Sequence, residues 1–195
     1  MRRNFVIALL YTLATTIVFG LIYPFAVTGL AQLFFHDKAN GQLLSRNGVV
    51  VGSRLIGQSF TSPLYFHSRP SAAGGGYDAA NSGGSNLAPT SQKLVDRIQS
   101  DAAKAGVDHP GTDVPIDLVT ASASGLDPDI TPAAAEYQVS RIAASRHMSE
   151  DAVRRLVAKH TAGRELGLLG EPRVNVLELN LDLDRTAPVA APAAK

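Results

Sequence analysis

The stretch Phe5-Val-Ile-Ala-Leu-Leu-Tyr-Thr-Leu-Ala-Thr-Thr-Ile-Val-Phe-Gly-Leu-Ile-Tyr-Pro-Phe-Ala-Val27 holds 13 Leu, Ile, Val or Phe in 23 positions. At about −0.3 to −0.6 kcal/mol each on an insertion scale, they contribute roughly −4 to −8 kcal/mol toward a membrane. No charge opposes them: the 33 residues between Arg3 and Asp37 carry none. About 20 apolar residues cross a bilayer core, so residues 5–35 are expected to form a transmembrane helix with an interfacial extension. A short h-region followed by a small-residue cleavage site would mark a signal peptide. Here the apolar run is longer, and the nearest approach to such a site is Ala26-Val27-Thr28, so an uncleaved anchor is favoured. Pro24 is expected to kink the helix, and Gly20, Thr28 and Gly29 offer small faces to a neighbouring helix.

Arg2 and Arg3 lie on one flank, while His36, Asp37 and Lys38 on the other bring no positive excess. The positive-inside rule then leaves residues 1–4 in the cytoplasm and places residues 36–185 outside it. The rest of the chain, residues 37–195, keeps 16 of the 18 basic groups and all 17 acidic ones. It has the composition of one soluble domain and no basic stripe for nucleic acid. The absence of cysteine decides nothing about compartment.

Within this domain, Gly48-Val-Val-Val-Gly-Ser-Arg-Leu-Ile-Gly57 reads as a strand pair or a bent strand. From Phe60 to Pro89 no helical period persists, which predicts a functional loop or a linker. A capped amphipathic helix is expected after Thr90 and Ser91, turning Leu94, Val95, Ile98 and Ala102 to one face and stopping at Gly106. Asp117-Leu-Val-Thr-Ala121 is a short strand candidate. Thr131-Pro132 starts one helix and Ser149 caps another, suggesting a helical hairpin. Val174-Asn-Val-Leu-Glu-Leu-Asn-Leu-Asp-Leu183 alternates with a change of parity, which predicts a strand with a β-bulge near Val176. Residues 186–195 read as a Pro/Ala tail with nothing to bury. The expected class is α+β: one N-terminal transmembrane helix, then a single mixed domain.

No phosphate-binding P-loop, G-x-G-x-x-G, H-E-x-x-H or cysteine pair is present, and the five histidines are not at ligand spacings. Ala121-Ser-Ala-Ser-Gly125 lacks the first glycine of a nucleophile elbow. Three segments stand out. In Tyr65-Phe66-His67-Ser68-Arg69-Pro70-Ser71-Ala72, aromatics alternate with a histidine and an arginine, as in a contact site or in a packed turn whose arginine meets a carboxylate. Asn81-Ser-Gly-Gly-Ser-Asn86 fits an anion nest or a plain turn. Asp127 and Asp129 fit a cation site or the caps and dipole partners that precede a helix. Arg141, His160 and Arg164 are open between surface and structural roles.

The order of Tyr65–Ala72, Ser82-Gly-Gly-Ser-Asn-Leu87, Asp117-Leu-Val-Thr-Ala-Ser122, Ser124-Gly-Leu-Asp-Pro128, Ala133-Ala-Ala135, Tyr137-Gln-Val139 and Leu169-Gly-Glu-Pro-Arg-Val-Asn-Val-Leu-Glu-Leu-Asn180 resembles the C subunit of bacterial Kdp-type potassium-transporting ATPases over nearly the whole chain. The resemblance implies a non-catalytic inner-membrane subunit with no cofactor of its own, in a complex that uses ATP and potassium ion. Its implied partners are a channel-like potassium-binding subunit, a P-type ATPase subunit and a small single-span subunit. It further implies a catalytic chaperone that raises the ATP affinity of the hydrolysing subunit, with Ser82, Gly83, Gly84, Ser85 and Gln138 as nucleotide-related positions. Tyr65, His67, Arg69, Asn86, Asp127, Arg141 and Arg173 become structural or partner-contact candidates. An external domain is separated from cytoplasmic ATP by the membrane, so such an effect would pass through coupled conformations. The alternative is a tethered periplasmic binding module or enzyme acting alone.

Overall fold

A computed structural model describes residues 1–109 and 111–188; the Pro/Ala tail beyond Pro188 lies outside the described residues. The chain divides into two compact units, residues 1–51 and 52–195.

The first unit is dominated by an apolar helix from Arg2 to Phe34, about 50 Å long at 1.5 Å per residue and so longer than a bilayer core. It comprises α1 (Arg2–Ile17), a π-helical turn (Val18–Ile22) and α2 (Tyr23–Phe34). Pro24 accounts for the turn. Its nitrogen has no hydrogen to give the carbonyl of Gly20 and its ring crowds that carbonyl, and the Tyr23 N–H reaches back five residues to Val18 O. The expected kink therefore takes the form of a widened turn. After the short α3 (His36–Ala39) come β1 (Leu43–Arg46) and β2 (Val49–Ser53), paired in a two-stranded sheet. Asn47 and Gly48 both have positive φ, the geometry of a two-residue hairpin turn.

The second unit carries α4 (Gln92–Ala105), β3 (Asp129–Ile130), α5 (Pro132–Tyr137), α6 (Val139–Arg146), α7 (Glu150–Lys159), β4 (Thr161–Ala162), β5 (Arg173–Asn175) and α8 (Val176–Thr186). β5 is the middle strand of an antiparallel sheet ordered β3-β5-β4, pairing Ile130 and Thr161 with opposite edges of Val174. Thr131 and Ser149 cap α5 and α7 through their side chains, as expected. Phe66, Ile142, Val153, Val174, Leu179 and Leu183 are fully enclosed in the core that these elements share. The α4 helix stands where it was predicted, with Leu94, Ile98 and Ala102 half-buried, but Val95 faces solvent.

Two expectations are corrected. Residues 176–183 are helical, because Asn175 caps α8 by accepting from the Glu178 N–H. The parity change at Val176 marks the strand-to-helix junction rather than a bulge. Val176, Leu179, Asn180 and Leu183 form an i, i+3, i+4, i+7 buried stripe. Residues 116–118 form a 3-10 turn rather than a strand. The buried Asp117 carboxylate accepts the Thr131 N–H at 2.6 Å, and such a side-chain bond competes with a ladder.

The end of α7 is tied to α8 at Asp182, whose Oδ2 lies 2.7 Å from Lys159 Nζ and 2.9 Å from His160 Nε2. Hydrogen bonding from Lys159, then from His160, holds the Asp182 carboxyl below its ordinary value. A carboxyl with a lower pKa folded than unfolded adds stability above the unfolded value, and that stability is lost as pH falls through the folded value. The contribution is thus complete above the ordinary carboxylate range near 4 and disappears in stronger acid. Thermal melts of the wild-type chain should show a steeper loss of stability below about pH 4 than those of Asp182→Asn. Parallel acid profiles would show that the tie contributes nothing.

Candidate functional site

The strap of residues 65–69 crosses the core without regular structure of its own, and side chains from the helices take the place of a neighbouring strand. Phe66 is fully buried. Asn180, from α8, accepts the Phe66 N–H at 2.9 Å and donates to the Phe66 carbonyl at 2.9 Å. Gln138 lies at the break between α5 and α6 and does the same for His67, at 2.7 and 3.1 Å. The Gln138 amide also donates to Ala134 O and accepts from Arg141 Nη2. Its two donors and two lone pairs are then fully used.

Three guanidinium groups complete the anchorage. Arg141 donates to the carbonyls of Pro63 and Tyr65. Arg146, its side chain 2% exposed, donates to Leu64 O at 2.8 Å, Ala187 O at 2.9 Å and Asp184 Oδ1 at 2.9 Å. Its guanidinium carbon is 4.7 Å from the centre of the Tyr65 ring, and the Tyr65 hydroxyl donates to Asp184 Oδ2. Arg69 meets Asp127 at 2.9 Å, while the Tyr77 hydroxyl donates to the Arg69 carbonyl. Burial, offset in part by a hydrogen bond with Ser68, holds the Tyr77 hydroxyl above its ordinary value.

Beside the strap is a cavity of about 560 Å³ bordered by Phe60, His67, Arg69, Tyr77, Gln138 and Arg141, with α4 supplying Asp101 and Lys104. His109 stacks on Tyr137 with ring centres 4.4 Å apart and approaches Ser140 Oγ at 3.3 Å. The volume suits a small molecule, but the polar groups described along its wall mostly hold the domain's own backbone.

The structure brings Tyr65, His67, Arg69, Gln138 and Arg141 together on the strap and its clamps, with Asp127 joined through Arg69. Ser82, Gly83, Gly84 and Ser85 are not among the residues bordering this cavity. They belong to a loop laid on residues 122–125: Ser82 Oγ and the Gly83 N–H both donate to Ser124 O. Gly125, at φ +66°, would place a Cβ 2.6 Å from Ala73 N and Gly83 O, so that contact requires glycine. Exposed Asn86 takes a positive φ. Arg173 pairs with Asp129 at 3.3 Å and Glu165 at 3.2 Å. Desolvation raises the Asp129 carboxyl above its ordinary value, opposed by the Asn175 amide. Arginines thus serve both aspartates once considered for a cation, and among the described residues no three His, Asp or Glu side chains cluster as metal ligands.

Asn180, Arg146 and Asp184 are the site's unforeseen members. The one local signal for Asn180 is its position as the polar member of an otherwise apolar helical stripe.

An α+β domain whose strap is held by its own buried amides and guanidinium groups, preceded in the chain by an apolar helix long enough to cross a membrane, has the build of a single-span membrane-associated module. A family model described as "KdpC: K+-transporting ATPase, c chain" matches residues 5–185. A potassium-transporting ATPase KdpC subunit of Koribacter versatilis is 60% identical over 192 residues, covering 98% of this chain and all of the relative. Subunits of the same description from Acidobacterium capsulatum and Bradyrhizobium diazoefficiens are 60% and 52% identical, covering 91% and 96% of this chain and 96% and 99% of theirs. The chain belongs to the KdpC family of potassium-transporting ATPase subunits.

Proposed function

We propose that this chain is the non-catalytic accessory subunit of an ATP-driven potassium uptake complex in the bacterial inner membrane. In this reading it stabilises the assembly of the channel-like and P-type ATPase subunits, beside the small single-span subunit, and raises the ATP affinity of the hydrolysing one. The observation that carries the reading is the commitment of Gln138, Asn180, Arg141 and Arg146 to the strap. Such a domain suits shape-based docking rather than turnover. Gln138 has its hydrogen-bonding capacity filled inside the domain, which favours an indirect effect on nucleotide over direct contact by this residue. Coupling energies of 1–3 kcal/mol correspond to roughly 5- to 150-fold in affinity.

The test is ATP titration of the purified complex with the chain intact and with residues 52–195 removed. Removal should weaken ATP binding roughly fivefold or more; unchanged affinity would dismiss the chaperone role. Gln138→Ala should alter ATP affinity only to the extent that it loosens the strap, read in parallel by thermal melting. Arg2 and Arg3 support a cytoplasmic N-terminus and a periplasmic domain. A periplasm-dependent reporter fused after residue 185 should be active, and activity of a cytoplasm-dependent reporter at that site would overturn the orientation.

A further inference from the structure

The β4–β5 hairpin ends in a closed turn that lifts three leucines away from the domain. Leu166, Leu168 and Leu169 are 90%, 81% and 63% exposed. The turn is stapled at its base by the Glu165 N–H to Leu169 O bond at 2.8 Å and the return bond, Leu169 N–H to Glu165 O, at 2.9 Å. Two ion pairs, Arg164 to Glu171 and Arg173 to Glu165, brace its sides. Leu166 has φ +53°, a left-handed conformation that disfavours a bulky residue. Glycine or asparagine would be easier to accommodate there, and the leucine side chain obtains almost no burial within the domain in return. A conformational outlier with an exposed apolar side chain points outward, to something that covers it.

We infer that residues 164–170 are a preformed apolar plug that seats in a hydrophobic concavity on another, membrane-embedded subunit of the ATPase; this rests on the assembly reading above. Three leucines offer on the order of 300 Å² of apolar surface, well short of the roughly 1,000 Å² that holds two free proteins together. A second copy of the chain meeting it tip to tip is therefore a poor occupant. A partner confined to the same membrane by its own spans is met at high effective concentration, so a small anchor suffices. Lipid is also a poor fit. Segments that lie in a bilayer surface surround their apolar face with Lys and Arg, whereas each arginine here is matched by a glutamate, and Glu165 and Glu171 have side chains 70% and 76% exposed.

The chain has no cysteine, so Leu168→Cys gives a single site for a nitroxide label in the full-length chain. In proteoliposomes holding the chain alone, the label should be reached by a water-soluble relaxant. In the complete complex it should be shielded from both water-soluble and lipid-soluble relaxants. A label reached by the lipid-soluble relaxant in the chain alone, or reached by either relaxant in the complete complex, would overturn the plug. In parallel, Leu166→Ser, Leu168→Ser and Leu169→Ser combined should reduce recovery of the other subunits on this chain at least tenfold with an unchanged melting temperature, and Leu→Met at the same positions should restore it. Full recovery with the serines would equally dismiss the proposal. If the wild-type chain recovers no other subunit, the assembly reading itself fails and the plug falls with it.

Discussion

Asn180→Leu is expected to destabilise the domain by about 2 to 6 kcal/mol, because it leaves the N–H and the carbonyl of one fully buried residue without partners. Leucine nearly matches asparagine in shape, so the change is close to a pure deletion of hydrogen bonds. Both bonds are at 2.9 Å, Asn180 is 2% exposed and Phe66 is fully buried. Water cannot replace the lost amide without opening the core. Against a typical total of roughly 5 to 15 kcal/mol for a domain, the variant would be marginal or unfolded at growth temperature. Urea unfolding of the full chain followed by circular dichroism should show a lower midpoint with an unchanged slope. Asn180→Asp keeps an acceptor for the Phe66 N–H but opposes a carboxylate to the Phe66 carbonyl, so it should be less harmful in acid than at neutral pH. A loss under about 1 kcal/mol for Asn180→Leu would mean that Phe66 finds other partners and that the amide clamp is incidental.

The same residue explains where reading the sequence stopped short. Leu177, Leu179, Leu181 and Leu183 alternate with polar residues as a half-buried strand does, and that pattern hid the helical stripe of Val176, Leu179, Asn180 and Leu183. The stripe includes a buried asparagine, which a hydrophobic period does not count. Its burial is repaid by backbone 114 positions away, and nothing near Asn180 announces such a partner. The apolar helix, the caps at Thr131 and Ser149 and the helix over 92–105 depend on neighbours in sequence, and those were legible. The strand read within 48–57 is present as Val49–Ser53, but its partner, Leu43–Arg46, lies before that segment, and the Asn47-Gly48 turn joining them was not read.

For the candidate site, residue types were visible but their employment was not. An alternation of Tyr65, His67 and Arg69 does mark a special segment, and the carboxylate suspected beside Arg69 is Asp127. Gln138 looked like a group available to a ligand because a sequence does not reveal that two lone pairs and two donors are already taken. Asn81–Asn86 read as an anion nest or a plain turn, and nothing within the segment announces that Ser82 Oγ and the Gly83 N–H both donate to the distant Ser124 carbonyl.

Arg146→Met should cost about 3 to 5 kcal/mol, the range for removing one partner from a buried ion pair. The guanidinium reaches Leu64 O, Ala187 O and Asp184 at once, so its loss unpins the start of the strap from the end of α8. Lysine should rescue little, since a single ammonium lacks the planar fork that serves diverging acceptors. The Asp184 carboxylate would keep the Tyr65 hydroxyl but lose its buried cation. Adding Asp184→Leu removes the charge that the first change exposes. The double variant should therefore be more stable than the two single losses predict, by about 1 kcal/mol or more. Strict additivity would show that Arg146 acts through the two carbonyls and the Tyr65 ring alone. In either case the strap, rather than the cavity beside it, should be the first part of the site to open. Hydrogen exchange at the Phe66 and His67 amides would report this directly, accelerating in Arg146→Met while the amides of α7 lag behind.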